Sequence, residues 1–338
     1  MKGAPLLSVQ DLKVHFTIGG RGLFARRHGV VLRAVDGVSF DLRAGETLGL
    51  VGESGCGKST LGRAVLRLLP EVGGRVVWLG QDLAKLPGEK LRQKRREMQI
   101  IFQDPLASLN PRMTVGQIIG EPLSTFQPDL PADRRKRLVQ EMMAKVGLLP
   151  QQINRYPHEF SGGQCQRIGI ARALAAEPRL IVCDEPLSAL DVSIQAQIVN
   201  LLMGLQREFN LSLILISHDL SVVRQISHRV LVLYLGRVME VGNRDELYGS
   251  PRHPYTQALI SAVPLPDPDL ERGRRRLVLK GDLPSPLNPP SGCAFRTRCP
   301  KATEICARLV PELLPIEPRH RVACHHWDEP PLAGPAAG

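Results

Sequence analysis

Nowhere does the 338-residue chain run to about 18 consecutive apolar residues, so no helix of it is expected to span a bilayer. Aromatic residues are scarce at 4%, too few for a platform on which single-stranded nucleic acid would stack. No internal repeat is present, so the chain carries one copy of whatever site it holds. Acidic residues are outnumbered, 33 Asp and Glu against 44 Lys and Arg, which gives a net charge of +11. Part of that excess sits in clusters: Arg26 with Arg27, Arg92 with Lys94, Arg95 and Arg96, Arg134 to Arg137, and Arg272 with Arg274, Arg275 and Arg276. Short charge runs between periodic segments read as solvated faces, and no nucleic-acid partner is expected. Residues 1–16 place Gln10, Asp11 and Lys13 where a secretory leader needs an unbroken apolar stretch, so a cytoplasmic chain is expected.

What is plentiful is alternation. Residues 47–51, 180–183 and 211–217 are short apolar strand-like runs, separated by longer segments of helical period. That pattern predicts an α/β fold with a largely parallel sheet. Val230-Leu231-Val232-Leu233-Tyr234, then Gly236-Arg237, then Val238-Met239-Glu240-Val241 predicts a late hairpin. Beyond Pro251 the texture changes. Pro264, Pro266, Pro268, Pro284, Pro286, Pro289 and Pro290 deny that stretch a long helix or a central strand. A division near residue 255 is expected, with one domain over 1–255 and an extension over 256–338.

The first chemical signal is Gly52-Glu53-Ser54-Gly55-Cys56-Gly57-Lys58-Ser59-Thr60, between the apolar strand 47–51 and a helical segment at 61–69. This is a P-loop in its required strand, loop, helix context. Glycines let backbone N–H groups converge on phosphate oxygens and the helix N-terminus adds positive potential. Lys58 reaches the β/γ-phosphates and the Ser59 hydroxyl coordinates Mg²⁺. A nucleotide and Mg²⁺ are thus the expected ligands. The second signal is Leu180-Ile181-Val182-Cys183-Asp184-Glu185, a buried-type strand ending in two acids. Asp184 suits the metal, and Glu185, one residue on, suits a base that orients or deprotonates the attacking water.

Ser161-Gly162-Gly163-Gln164 opens a helical segment just before that strand. With it the chain resembles the ABC ATPases, whose signature motif these four residues match. The resemblance implies a P-loop core with antiparallel β and α-helical subdomains, and two subunits that sandwich ATP so that each signature closes on the partner's γ-phosphate. It also assigns Gln103, in Ile101-Phe102-Gln103-Asp104-Pro105, as the Mg²⁺-contacting Q-loop glutamine. Ser188-Ala189-Leu190-Asp191 resembles the D-loop, and His218 the switch histidine at the γ-phosphate. Phe16 is the implied adenine-stacking aromatic, although a basic insertion at 19–33 lengthens the interval to Gly52.

Within the family the chain is most similar to the F-type ATPase subunit of oligopeptide and dipeptide importers. The flanking Val51, Tyr156-Pro157-His158-Glu159-Phe160 and the tail from Pro284-Ser285-Pro286 to Cys299-Pro300 carry that resemblance. It implies a peripheral subunit on the cytoplasmic face of the plasma membrane. Its implied partners are a second ATPase, a D-type paralogue forming a heterodimer, two membrane permease subunits, and a periplasmic or extracellular solute-binding protein. Nickel and other small-solute importers, and soluble non-transport ABC ATPases, are the alternatives.

Of the seven cysteines, Cys56, Cys165 and Cys183 read as small packing residues. Cys293, Cys299, Cys306 and Cys324 are separated by five, six and seventeen residues in a Pro-rich segment of little apolar content. Such a segment gains its fold from metal binding, and the resemblance favours a 4Fe-4S cluster. Zinc and unligated thiols remain alternatives, with His320, His325 and His326 as substitutes for the fourth ligand.

Overall fold

The computed structural model describes residues 4–19, 29–70, 72–188, 190–264, 272 and 276–332. Arg26, Arg27, Ala189, Pro266, Pro268, Arg274 and Arg275, named above, lie outside the described residues. Two compact units emerge, each discontinuous in sequence. The first comprises Met1–Leu7, Leu42–Thr47 and Val77–Ser217; the second comprises Ser8–Asp41, Leu48–Val76 and His218–Gly338.

The second unit carries β1 (Leu7–Ile18), β2 (Val30–Leu42), β3 (Thr47–Val51), α1 (Lys58–Val65) and β4 (Gly73–Trp78). β1 lies between β2 and β4 in one sheet. Every residue of β3 is buried, as expected of a strand covered on both faces. The first unit takes over from Val77, so that Val77 and Trp78 pair antiparallel with β5 (Gln81–Asp82) inside it, followed by α2 (Gly88–Glu97) and β6 (Met98–Ile101). Next come α3 (Val115–Phe126), α4 (Ala132–Lys145), α5 (Gly162–Ala175), β7 (Leu180–Asp184), α6 (Val192–Phe209) and β8 (Ser212–Ile216). β6, β7 and β8 form a parallel array in which Ile101 pairs with Cys183 and Asp184 with Ile216. Helix α3 packs on α4 and α5. Its start is fixed by a capping box, with Thr114 accepting from Gln117 N and the Gln117 side chain accepting from Thr114 N.

Back in the second unit, α7 (Leu220–Ile226) leads to the predicted hairpin, β9 (Arg229–Tyr234) and β10 (Arg237–Asn243), with β9 parallel to β3 and antiparallel to β10. Then follow α8 (Arg244–Gly249), α9 (Pro254–Ser261), α10 (Glu304–Arg308), β11 (Leu314–Glu317) and β12 (His320–Val322). Strand β12 adds to β10, placing Val322 opposite Glu240. The residues expected as an extension beyond 255 therefore share a compact unit with the P-loop strand.

Aromatic packing explains this docking. Tyr234, Tyr255 and Phe295 are all fully buried, with ring centroids 4.8 Å apart for the tyrosine pair and 5.3 Å from each tyrosine to Phe295. Edge and tilted pairings of this kind contribute about 0.5–1.5 kcal/mol each beyond area burial. Beside them Glu240 is wholly buried and its carboxylate is satisfied by Arg252 N at 2.8 Å, His253 N at 2.9 Å and His320 Nε2 at 2.7 Å. The scarce aromatics are thus spent where the tail meets the hairpin.

Candidate functional site

Strand β3 delivers the chain into the loop at Gly52, whose φ is 151°; a Cβ there would come 2.2 Å from the Leu233 carbonyl oxygen. At Gly57, with φ 103°, a Cβ would meet Ala34 O at 2.1 Å. No larger residue fits either turn. Ser54 and Gly55 between them are exposed, while Cys56 is buried and its carbonyl accepts from Gly236 N at 2.9 Å. The loop therefore hangs on the hairpin turn and turns its middle to solvent. Lys58, 4% exposed, donates from Nζ to Gly52 O at 2.8 Å and Glu53 O at 2.9 Å. Helix α1 begins at Gly57 with no side-chain cap, and Ser59 and Thr60 stand half-buried in its first turn. An uncapped N-terminus beneath an open glycine loop, with a lysine across it, fits a polyphosphate.

In the first unit, Asp184 ends β7 and is 1% exposed. Glu185 follows with φ 45°, its N–H donating to Ile216 O at 3.0 Å. A left-handed glutamate is uncommon and marks a place where surrounding structure imposes the conformation. Gln103, exposed two residues after β6, donates from Nε2 to Glu185 Oε2 at 3.2 Å, so the structure joins these two predicted residues. Oxygen donors of this type suit a hard cation such as Mg²⁺. Ser188 Oγ donates to Glu185 O at 3.1 Å, and Gln195 Nε2 donates to Leu187 O and Leu190 O at 3.0 Å each, which fixes the segment before α6.

Ser161 is the N-cap of α5. Its Oγ accepts from Gln164 N at 3.4 Å, and Gln164 Oε1 accepts from Ser161 N at 2.9 Å. For one of the paired glycines the structure supplies a packing reason. A Cβ on Gly163 would lie 2.6 Å from Ile194 Cγ2, so this glycine lets α5 approach α6. Gly162 is exposed, and its Cβ would only touch Leu190 Cδ2 at 3.7 Å.

His218 lies in the second unit, exposed, between β8 and α7. Phe16 is half-buried in β1, which continues to Ile18, two residues past the expected end. Most of the basic insertion, 20–28, lies outside the described residues.

In the tail the four cysteines gather, each within electrostatic reach of the other three. Burial first, then the neighbouring thiols, pushes Cys299 up to about 11 and Cys324 up to about 12. A metal bound there would have to displace protons. The Cys324 sulfur accepts from His326 N at 3.4 Å, and backbone groups of Phe295 and Arg296 face Cys293 as that of Lys301 faces Cys299. Such N–H groups stabilise thiolates bound to a cluster. The histidines are committed elsewhere: His320 to Glu240, His325 Nε2 to Leu309 O at 3.0 Å, and His326 to Glu329 and Thr303. Cys56, Cys165 and Cys183 are each 1% exposed or less, in keeping with packing roles.

Sequence reasoning missed one part of this site. Arg298 holds the Glu53 carboxylate in a two-armed ion pair at 2.6 and 3.0 Å, and Glu53 N–H donates to Tyr255 Oη at 2.9 Å. Nothing in a P-loop pattern assigns its second residue a partner, and the only hint was an arginine beside Cys299.

A phosphate cradle, a two-acid strand end and a glycine-rich helix start define an ATP-binding unit of the ABC class, and the family model described as ABC transporter matches residues 35–188. A second model, described as Oligopeptide/dipeptide transporter, C-terminal region, matches residues 239–306. The chain is 60% identical to the oligopeptide transport ATP-binding protein OppF of Salmonella typhimurium over 94% of this chain and 95% of that protein. It is 56% identical to the oligopeptide transport ATP-binding protein AppF of Bacillus subtilis over 95% of this chain and 97% of that one. The dimeric structure of the ATP-binding cassette MJ0796, in a post-hydrolysis state bound to ADP and Pi, matches 70% of this chain and 98% of its own with a TM-score of 0.62 and 26% identity. With likeness over nearly its whole length, the chain belongs to the oligopeptide transport ATP-binding proteins of the ABC transporter family, and it is an ATPase.

Proposed function

We propose that this ATPase powers the import of di- or oligopeptides through two membrane permease subunits, closing on ATP against a second ABC ATPase subunit and reopening after hydrolysis. The observation that carries the reading is the continuity of the likeness, which runs through the core at 35–188 and on through the tail at 239–306. In this reading the chain sits peripherally on the cytoplasmic face of the plasma membrane. Its ATPase partner is a D-type paralogue, and an external binding protein delivers the peptide. Among the described residues no helix is long and apolar enough to cross a membrane, so the path for solute belongs to partners.

The residues divide the work. The 52–60 loop and Lys58 bind the phosphates, and Phe16 stacks on adenine. Ser59, Asp184 and Gln103 hold Mg²⁺, which when bound neutralises charge on the β/γ oxygens. Glu185, hydrogen-bonded by Gln103, orients the attacking water, and His218 contacts the γ-phosphate. The start of α5, from Ser161 to Gln164, receives the partner's γ-phosphate on its N–H groups. Cys293, Cys299, Cys306 and Cys324 ligate a 4Fe-4S cluster of structural role; the gathered thiols and the N–H groups facing them support this assignment.

Reconstitution tests the proposal. The chain is purified with its membrane complex, the other subunits are identified by mass spectrometry, and ATP hydrolysis is measured in proteoliposomes. Peptide with its binding protein should stimulate hydrolysis, and Lys58→Ala should abolish it by removing a phosphate-facing cation. Stimulation by a metal ion or another solute, with none by peptides, refutes the import assignment. Iron, sulfide and zinc analysis after anaerobic purification decides the cluster: a colourless protein carrying stoichiometric zinc, or no metal, overturns it.

A further inference from the structure

Glu53 has a fixed partner for every polar group it owns. Its N–H donates to Tyr255 Oη at 2.9 Å, its carbonyl accepts from Lys58 Nζ at 2.9 Å and Cys56 N at 3.3 Å, and its carboxylate takes both arms of Arg298. The peptide planes on either side of residue 53 are therefore set, and with them the direction in which the loop from Ser54 to Gly57 presents its N–H groups. Arg298 is itself held in place. Its side chain is 9% exposed, its N–H donates to Phe295 O at 3.0 Å, and Phe295 is packed against both Tyr234 and Tyr255. A planar guanidinium gripping a carboxylate by two parallel bonds fixes orientation as well as distance. It also neutralises an acid that would otherwise stand beside bound triphosphate.

We infer that Arg298, from the cysteine-rich tail, is a positioning residue for nucleotide binding: through Glu53 it sets the P-loop in its phosphate-accepting shape and cancels the charge of that acid. The tail thereby governs ATP affinity. This inference rests on the nucleotide reading of the 52–60 loop.

The test is calorimetric titration of the full chain with Mg·ATP, paired with turnover in the assembled complex. Arg298→Ala should raise the Kd about tenfold, the effect of roughly one lost charge-assisted contact. At saturating ATP, kcat should stay within about twofold, since positioning of the ground-state cradle acts on binding. Arg298→Lys keeps the charge and the packing but loses one arm, so an intermediate Kd is expected; it also decides the matter where the alanine variant fails to fold. Arg308→Ala, which removes an exposed pair with Glu304 on α10, should leave the Kd unchanged. In a Glu53→Ala background, Arg298→Ala should add nothing further, because both act through one contact. Wild-type affinity in Arg298→Ala and Arg298→Lys overturns the inference, as does an undiminished effect of Arg298→Ala without Glu53. A wild-type chain that binds no ATP overturns the nucleotide reading beneath it instead.

Discussion

Gly163 offers a direct way to separate packing from phosphate recognition in the helix start of α5. An alanine Cβ at this position would sit 2.6 Å from Ile194 Cγ2, well inside the 3.4 Å at which ordinary contact begins. Cγ2 is bonded directly to a branched Cβ, so it cannot move aside without leaving its rotamer. Overpacking of this kind costs about 1–3 kcal/mol. Replacing a helical glycine by alanine returns at most about 1 kcal/mol, and less so near a helix end. Gly163→Ala should therefore destabilise the chain by about 1 kcal/mol. In an Ile194→Ala background the obstructing methyl is absent, Ile194 being only half-buried in the first place. There the same substitution should stabilise by about 0.5 kcal/mol. Urea titration of the four proteins measures both values. An effect of the same sign in both backgrounds refutes the packing argument. ATP turnover in the complex supplies the second half: if residue 163 must also be small for the partner's phosphate, turnover stays low in the double variant although stability has returned.

Three further outcomes are expected. Glu185→Gln should keep ATP binding and lose turnover by more than about 100-fold, because the acceptor for the water proton has gone while the cradle remains; hydrolysis near wild type in the complex removes Glu185 from that role. Ser161→Arg should block the shared site on the partner while titration still finds ATP on this chain's own loop, and hydrolysis by each subunit alone, independent of concentration, sinks the sandwich arrangement. His253 accepts the Tyr255 N–H at Nδ1 at 3.0 Å, and burial pushes its imidazole down to about 4. The unfolded chain therefore binds more protons between about pH 4 and 6.5, so stability should fall as pH drops through that window, by up to about 3 kcal/mol from this residue. His253→Asn keeps an acceptor at the start of α9 without the titration, and its urea midpoint should depend less steeply on pH there; identical pH slopes would falsify this account.

What could be read from sequence depended on how local each determinant is. Strands β3, β7 and β8 are buried along their whole length and therefore appear as unbroken apolar runs at 47–51, 180–183 and 211–217. The hairpin announced itself through Gly236 between two apolar runs. The P-loop was legible because backbone geometry and phosphate chemistry restrict residue types over nine adjacent positions. Gly163 is where sequence alone stops, because one residue type serves two ends. A glycine beside an anion site and a glycine beneath a crossing helix look alike in sequence, and only the position of Ile194 tells them apart.

The tail shows the opposite limit. Its proline-rich texture suggested separateness, whereas β12 pairs with β10 and Phe295 packs against both Tyr234 and Tyr255. Those contacts join positions far apart in the chain, and no periodicity encodes them. The Arg298–Glu53 pair spans 245 positions and is built from two residue types that are unremarkable on a surface. Its meaning comes from burial, because an arginine with 9% of its side chain exposed needs a partner of fixed geometry or it destabilises the fold. The cysteine spacing raised the expectation of a bound cluster. The ion pair indicates what the tail acts on, since the segment that carries Cys299 also carries the guanidinium that fixes the second residue of the P-loop. Whatever orders that segment orders the nucleotide site with it.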